Sequence, residues 1–165
     1  MRYKCIAAAS SGIAATLLKG GRTAHSSFGI PIPVLNASTC NVKLSTKFKK
    51  LLNESKLIIW DEAFMTHTYN ILAVSRMLKD ITNNDNFFGG KIVIFCGNPR
   101  QTLHVIPKAS RSVVVNASLI KCPLIWDSDI KLYLSINMHV IRNGKNPHSI
   151  QFAKFLLCGG AAVGS

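Results

Sequence analysis

Asp61 and Glu62 stand side by side, directly after the apolar run Leu57-Ile58-Ile59-Trp60. Adjacent carboxylates can serve phosphoryl transfer, one holding Mg²⁺ while its neighbour orients the attacking water. That chemistry requires the pair to sit at the mouth of a ligand cleft. A short apolar run that ends abruptly in polar residues reads as a strand buried on both faces, as in a parallel sheet. In open α/β sheets, ligands bind beyond the carboxyl ends of such strands. The same pattern also marks a strand that has simply reached solvent, so the rest of the chain must decide. Only seven acids oppose 20 Lys and Arg in these 165 residues, which makes the pairing of two of them informative.

A second apolar run, Lys91 to Cys96, ends in Gly97-Asn98-Pro99-Arg100-Gln101. Its β-branched residues favour a strand, and polar groups again follow at its carboxyl end. Between the two runs, Thr68 to Ile81 carries an apolar stripe of Ile71, Leu72, Val74, Met77, Leu78 and Ile81 at helical spacing. Two strands joined by a helix describe a right-handed crossover unit. Gln101 would then stand at the same carboxyl edge as Asp61 and Glu62.

A third segment, Lys19 to Gly29, mixes cations, hydroxyls and glycines with Phe28. That mixture suits a contact to phosphates plus a stacking face for single-stranded nucleic acid. An ordinary polar loop with a packing phenylalanine has the same composition.

The remaining elements must position these groups. Tyr3 to Ala9 reads as a strand, and Ile13 to Leu18 as a helical turn or two after Ser10-Ser11-Gly12. Pro31 and Pro33 mark a loop. Lys43 to Leu52 forms an amphipathic helix with a basic outer face, and Asn83 to Gly90 a loop. Ser112 to Ile120 reads as helix, Ile130 to Leu134 as a further strand and His148 to Cys158 as a helix. The tail from Gly159 to Ser165 is expected to be flexible.

Composition narrows the partners. The formal net charge is +13, and such a basic surface favours a polyanion, nucleic acid first. Nearly half the residues are apolar, which excludes a disordered tail. No apolar run approaches the ~20 residues that a membrane crossing needs, and the N-terminus shows no signal peptide. The five cysteines are scattered and form no C-x-x-C pair. This argues against a disulfide framework or zinc module and fits a reducing compartment. Cys5 and Cys96 read as buried packing residues.

Several motifs fall in a recognisable order. Ser11-Gly12-Ile13-Ala14-Ala15 with Thr23-Ala24-His25-Ser26-Ser27-Phe28-Gly29 resembles helicase motif Ia. Leu57 to Ala63 with Met65 resembles motif II, the Walker B box, and Phe88 to Lys91 leading to Gln101 resembles motif III. Leu134 to Met138 resembles the start of motif IV. Together they resemble the Pif-type DNA helicases. Ser110-Arg111 and Asn116-Ala117-Ser118-Leu119 resemble the branch carried by Helitron transposons.

The resemblance implies an α/β, RecA-like parallel sheet flanked by helices. Residues 1–158 would form part of a first motor domain. It implies ATP-dependent, 5′-to-3′ translocation on single-stranded DNA, with roles in transposition, repair or recombination and a nuclear or mitochondrial location. Asp61 would bind Mg²⁺, Glu62 would polarise water and Gln101 would sense the γ-phosphate. Ser11, Gly12, Thr23, His25 and Phe28 would lie near DNA.

Some features depart from the family pattern. The phosphate loop G-x-x-x-x-G-K-[ST] does not occur in the sequence; in the family it lies just upstream of the position of Cys5. Asn98 stands where motif III usually has Asp, and His104 where a Pro is usual. His139 replaces the arginine finger of motif IV, with Arg142 three residues further on. A neutral histidine stabilises transition-state charge far less than a guanidinium. Weak or absent ATP hydrolysis is therefore expected of this chain alone.

Overall fold

The computed structural model describes residues 4–40, 46–98 and 110–134, together with Met138 and Gln151. The chain divides into two compact units, Met1–Ser128 and Asp129–Ser165. The first holds the sheet.

Among the described residues four strands make that sheet: β1 (Cys5–Ala9), β2 (Arg22–Thr23), β3 (Leu57–Asp61) and β4 (Ile92–Phe95). All pair in parallel, in the order β2-β1-β3-β4. Parallel neighbours require crossovers. Helix α1 (Gly12–Leu17) carries β1 to β2, followed by α2 (Ala24–Phe28) and α3 (Thr46–Glu54). Helix α4 (Thr68–Thr82) carries β3 to β4, as its apolar stripe predicts. Helices α5 (Arg111–Asn116) and α6 (Pro123–Trp126) complete the unit.

The core lies on one face of the sheet. Ile6, Ala8, Ile58 and Trp60 meet Ile71, Val74 and Leu78 of α4, with Phe28, Leu119 and Ile125 in the same cluster. On the opposite face, Ala9 packs with Ala14 and Ala15 of α1. Further along that face Ile92 and Ile94 of β4 are 67% and 43% exposed. The expectation of strands buried on both faces is thus corrected. Among the described residues β3 and β4 are covered on one face, and their side chains alternate accordingly.

Other expectations also change. Ile130 to Leu134 is not a strand: its residues pair with no other strand, and Leu134 is fully exposed. Cys5 is exposed and Cys96 half-buried, because Cys5 opens β1 at the sheet's rim and Cys96 follows the end of β4. The segment Ser112 to Ile120 is α5 followed by a separate 3₁₀ turn at Leu119–Lys121. Arg22 and Thr23 form a short strand inside the segment Lys19 to Gly29, for which no strand was expected. The helix expected at His148 to Cys158 and the tail from Gly159 lie outside the described residues, apart from Gln151. No helix among the described residues is long and apolar enough to cross a membrane.

Helix α4 begins on an unusual cap. His67 Nδ1 accepts a hydrogen bond from the Tyr69 N–H at 3.0 Å, which requires an unprotonated Nδ1. Burial lowers the His67 pKa below its ordinary 6.5, and that of His25 likewise. The unfolded chain therefore binds more protons across the window below 6.5, and stability rises with pH there. Full stability is expected above that value and is lost as pH falls through the folded-state pKa values. Thermal melting should occur at a lower temperature at about pH 5.5 than at about pH 7.5. His67→Asn keeps a capping acceptor without titrating and should flatten part of that slope; an unaltered slope would contradict the assignment.

Candidate functional site

The parallel register brings the chemistry-bearing residues to one edge. Ala9 is level with Thr23 on one side and with Asp61 on the other. The carboxyl ends of β2, β1 and β3 therefore lie side by side, at ~4.8 Å per strand. Ser11 and Gly12 follow β1 at that edge, and His25 follows β2.

Asp61 is the last residue of β3 and is half-buried. Its Oδ1 accepts a hydrogen bond from the Glu62 N–H at 2.9 Å. Glu62 turns the chain sharply, with φ 53° and ψ 35°. A non-glycine residue in the left-handed region costs roughly 1–2 kcal/mol. The surroundings hold it there: Ala63 N–H donates to the Cys96 carbonyl at 2.9 Å, and Met65 N–H to the Glu62 carbonyl at 3.1 Å. Strain of this kind persists where neighbours over-determine it, and it collects at functional sites.

Gly97 closes the turn from the β4 side. A Cβ at this position would stand 2.9 Å from Phe64 Cδ2 and 3.5 Å from the Glu62 Cα, and its φ is +140°. The glycine is what lets the strand end of β4 lie against the acidic turn. Trp60 is level with Phe95, so Asp61 and Cys96 follow at the same level; the Cys96 thiol pKa is raised by burial and then by the Asp61 charge.

Ser10 is the group that sequence reasoning missed. Its N–H donates to the Asp61 carbonyl at 3.0 Å. Its Oγ accepts from Trp60 Nε1 at 3.0 Å and pairs with Thr66 Oγ1 at 2.6 Å. One serine thus ties the β1–α1 junction to both flanks of the acidic turn. A serine pair after an apolar strand was the visible signal, but a helix cap explains only Ser11. Ser10→Ala leaves the fully buried Trp60 indole and the Thr66 hydroxyl short of a partner. A loss of about 1–3 kcal/mol in urea unfolding is expected; no loss would show the network to be incidental.

The residues expected near DNA divide. Ser11 Oγ caps α1 through the Ala14 N–H at 3.2 Å, and Thr23 Oγ1 caps α2 through the Ser26 N–H at 3.3 Å. Both remain half-exposed, as does His25, while Gly12 is exposed. Lys19 and Arg22 are exposed cations in the same segment. Phe28 is the correction. It is 0% exposed and packs on Trp60 with ring centroids 5.5 Å apart. A base cannot stack on it, because helix α2 turns its one aromatic inward to fill the core. Gln101, His104, His139 and Arg142 lie outside the described residues.

A family model described as PIF1-like helicase matches residues 1–160. The chain belongs to that family. A curated relative, the ATP-dependent DNA helicase Pif1 of Psychrobacter sp. (strain PRwf-1), is 39% identical over 92 residues, covering 54% of this chain and 14% of the relative. Among solved structures, the Pif1 helicase from Bacteroides in complex with ADP-AlF3 and ssDNA is 32% identical, with a TM-score of 0.61 over 73% of this chain and 30% of that one. The Pif1 helicase from Candida albicans is 22% identical, with a TM-score of 0.58, and supports the fold alone. The chain thus spans at most about a third of the length of these relatives. Its parallel sheet with flanking helices matches the RecA-like domain of the PIF1-like helicases. Within that domain the acidic pair and the capped loops of α1 and α2 share the carboxyl edge.

Proposed function

We propose that this chain forms part of the first motor domain of an ATP-dependent DNA helicase. The observation that carries the reading is the shared edge: Asp61 and Glu62 at the end of β3, with Ser11, Gly12, Thr23 and His25 beside them at the ends of β1 and β2. A motor needs nucleotide chemistry and strand contact close enough for one to move the other.

The donor set suits Mg²⁺. Asp61 offers hard oxygen, and Mg²⁺ typically takes one or two carboxylates together with substrate phosphates and water. No cluster of three or more His, Cys, Asp or Glu able to hold a metal occurs among the described residues. When bound, the ion would neutralise charge on the phosphates. Asp61 would hold it, Glu62 would orient the water, and Gln101 is proposed to read the γ-phosphate. The left-handed turn at Glu62 and the hydrogen bond from its N–H to Asp61 Oδ1 fix the backbone that carries the two carboxylates. Ser11, Gly12, Thr23 and His25, with Lys19 and Arg22, would hold the single strand through backbone groups and hydroxyls rather than through Phe28.

The finer assignments are 5′-to-3′ movement, which rests on the family resemblance, and the Helitron branch, which rests on Ser110-Arg111 and Asn116-Ala117-Ser118-Leu119. The competing reading is a non-catalytic, basic DNA-binding remnant. It is favoured by Asn98 and His139, which stand where the family pattern has Asp and Arg. ATP hydrolysis with single-stranded DNA separates the two. The 165-residue chain should turn over weakly or not at all. A form extended with an in-frame phosphate loop should hydrolyse ATP and lose that activity in Glu62→Gln. Turnover indifferent to Glu62 would overturn the motor reading.

A further inference from the structure

The opposite edge of the sheet carries a different kind of site. Lys4, Lys56 and Lys91 each immediately precede a strand, β1, β3 and β4 in turn. The register aligns them: Cys5 pairs with Leu57, and Leu57 with Ile92. Backbone bonds continue the row, Lys56 N–H to the Lys4 carbonyl at 3.2 Å and Ile92 N–H to the Lys56 carbonyl at 3.1 Å. Three lysines therefore stand abreast on adjacent strands, at ~4.8 Å per strand.

Helix α3 extends this row, because it runs directly into β3. Lys47, Lys49 and Lys50 on it are exposed. Lys91 Nζ donates to the carbonyls of Asn53 at 3.2 Å and Ser55 at 2.8 Å, fixing the helix end to the row. Glu54 pairs with Lys4 and with Lys50. The side chains of Lys47, Lys49 and Lys56 make no ion pair among the described residues. The crowding of like charge is felt locally: burial, and then the Lys56 charge, lower the Lys91 pKa.

We propose that this lysine edge grips the phosphate backbone of double-stranded nucleic acid, as a contact separate from the acidic edge. Five strand residues at ~3.3 Å each put it about 16 Å from Asp61. Single strands are held by stacking platforms as well as charge, and Phe48, the ring of α3, is half-buried against the core. A duplex backbone needs only positioned cations and rewards them through counterion release. The proposal holds whether or not the acidic pair hydrolyses ATP.

Lys49→Gln/Lys56→Gln tests it against an equal loss of charge elsewhere, Lys121→Gln/Lys131→Gln. Binding of a blunt duplex and of a single-stranded oligonucleotide would be followed across salt concentrations. The first pair should lower duplex affinity about tenfold and reduce the log–log salt slope by roughly 2, at about 0.9 per phosphate contact. It should leave single-strand affinity within about twofold, and Lys49→Arg/Lys56→Arg should restore duplex binding. An equal loss in the control pair, or a single-strand loss as large as the duplex loss, would overturn the proposal. Thermal melting of each variant establishes that it is folded.

Discussion

Trp60→Ala is expected to destabilise the fold by about 4 kcal/mol, in the range for removing a fully buried tryptophan. Trp60 is 0% exposed and lies between Phe28 and Phe95, with ring centroids at 5.5 and 6.3 Å. Its side chain joins the sheet core to α2, and its indole nitrogen anchors Ser10. Domains of this size are stable by roughly 5–15 kcal/mol, so the variant would lose a large part of the total. Urea unfolding measures it. Trp60→Phe keeps a ring and loses the donor, so it should cost only about 1–2 kcal/mol. Equal losses in the two variants would mean that the hydrogen bond, not the packing, carries the position.

The second large effect separates stability from activity at one residue. Glu62 adopts the left-handed region at φ 53°. Glycine occupies that region without penalty, so Glu62→Gly should stabilise the fold by about 1 kcal/mol. In a form able to hydrolyse ATP, the same change should lower the rate by roughly 10²–10⁴, the usual contribution of a positioned acid–base group. Glu62→Gln keeps the strain and loses the charge, so its stability should stay within about 0.5 kcal/mol while its rate falls similarly. A function retained at the expense of backbone strain has this signature. A Gly variant less stable than the parent would show that the turn is not strained.

The parallel strands and the helix between β3 and β4 were legible because their apolar patterns are long and regular. Thr68 to Thr82 carries its stripe across four turns, and β3 ends where Asp61 begins the polar residues. The two-residue β2 was not legible, since its identity lies in pairing with Ala8 and Ala9 rather than in its own sequence. Phe28 misled for a related reason. Composition showed an aromatic among cations and hydroxyls, but helix geometry decides which way it points, and it points at Trp60. Ser10 and Gly97 carry no chemical signature of their own; their roles arise only when three strand ends meet. The lysine row was hidden because Lys4, Lys56 and Lys91 are far apart in sequence and adjacent only through register.

The pairing of Asp61 and Glu62 with a metal–nucleotide is tested most directly by paramagnetic broadening of the protein's amide signals with Mn²⁺ and ATP. The account predicts strongest broadening at Ser10, Asp61, Glu62 and Gly97, lost in Asp61→Asn with the fold intact. Broadening centred on Lys4, Lys56 and Lys91 and indifferent to Asp61→Asn would contradict it.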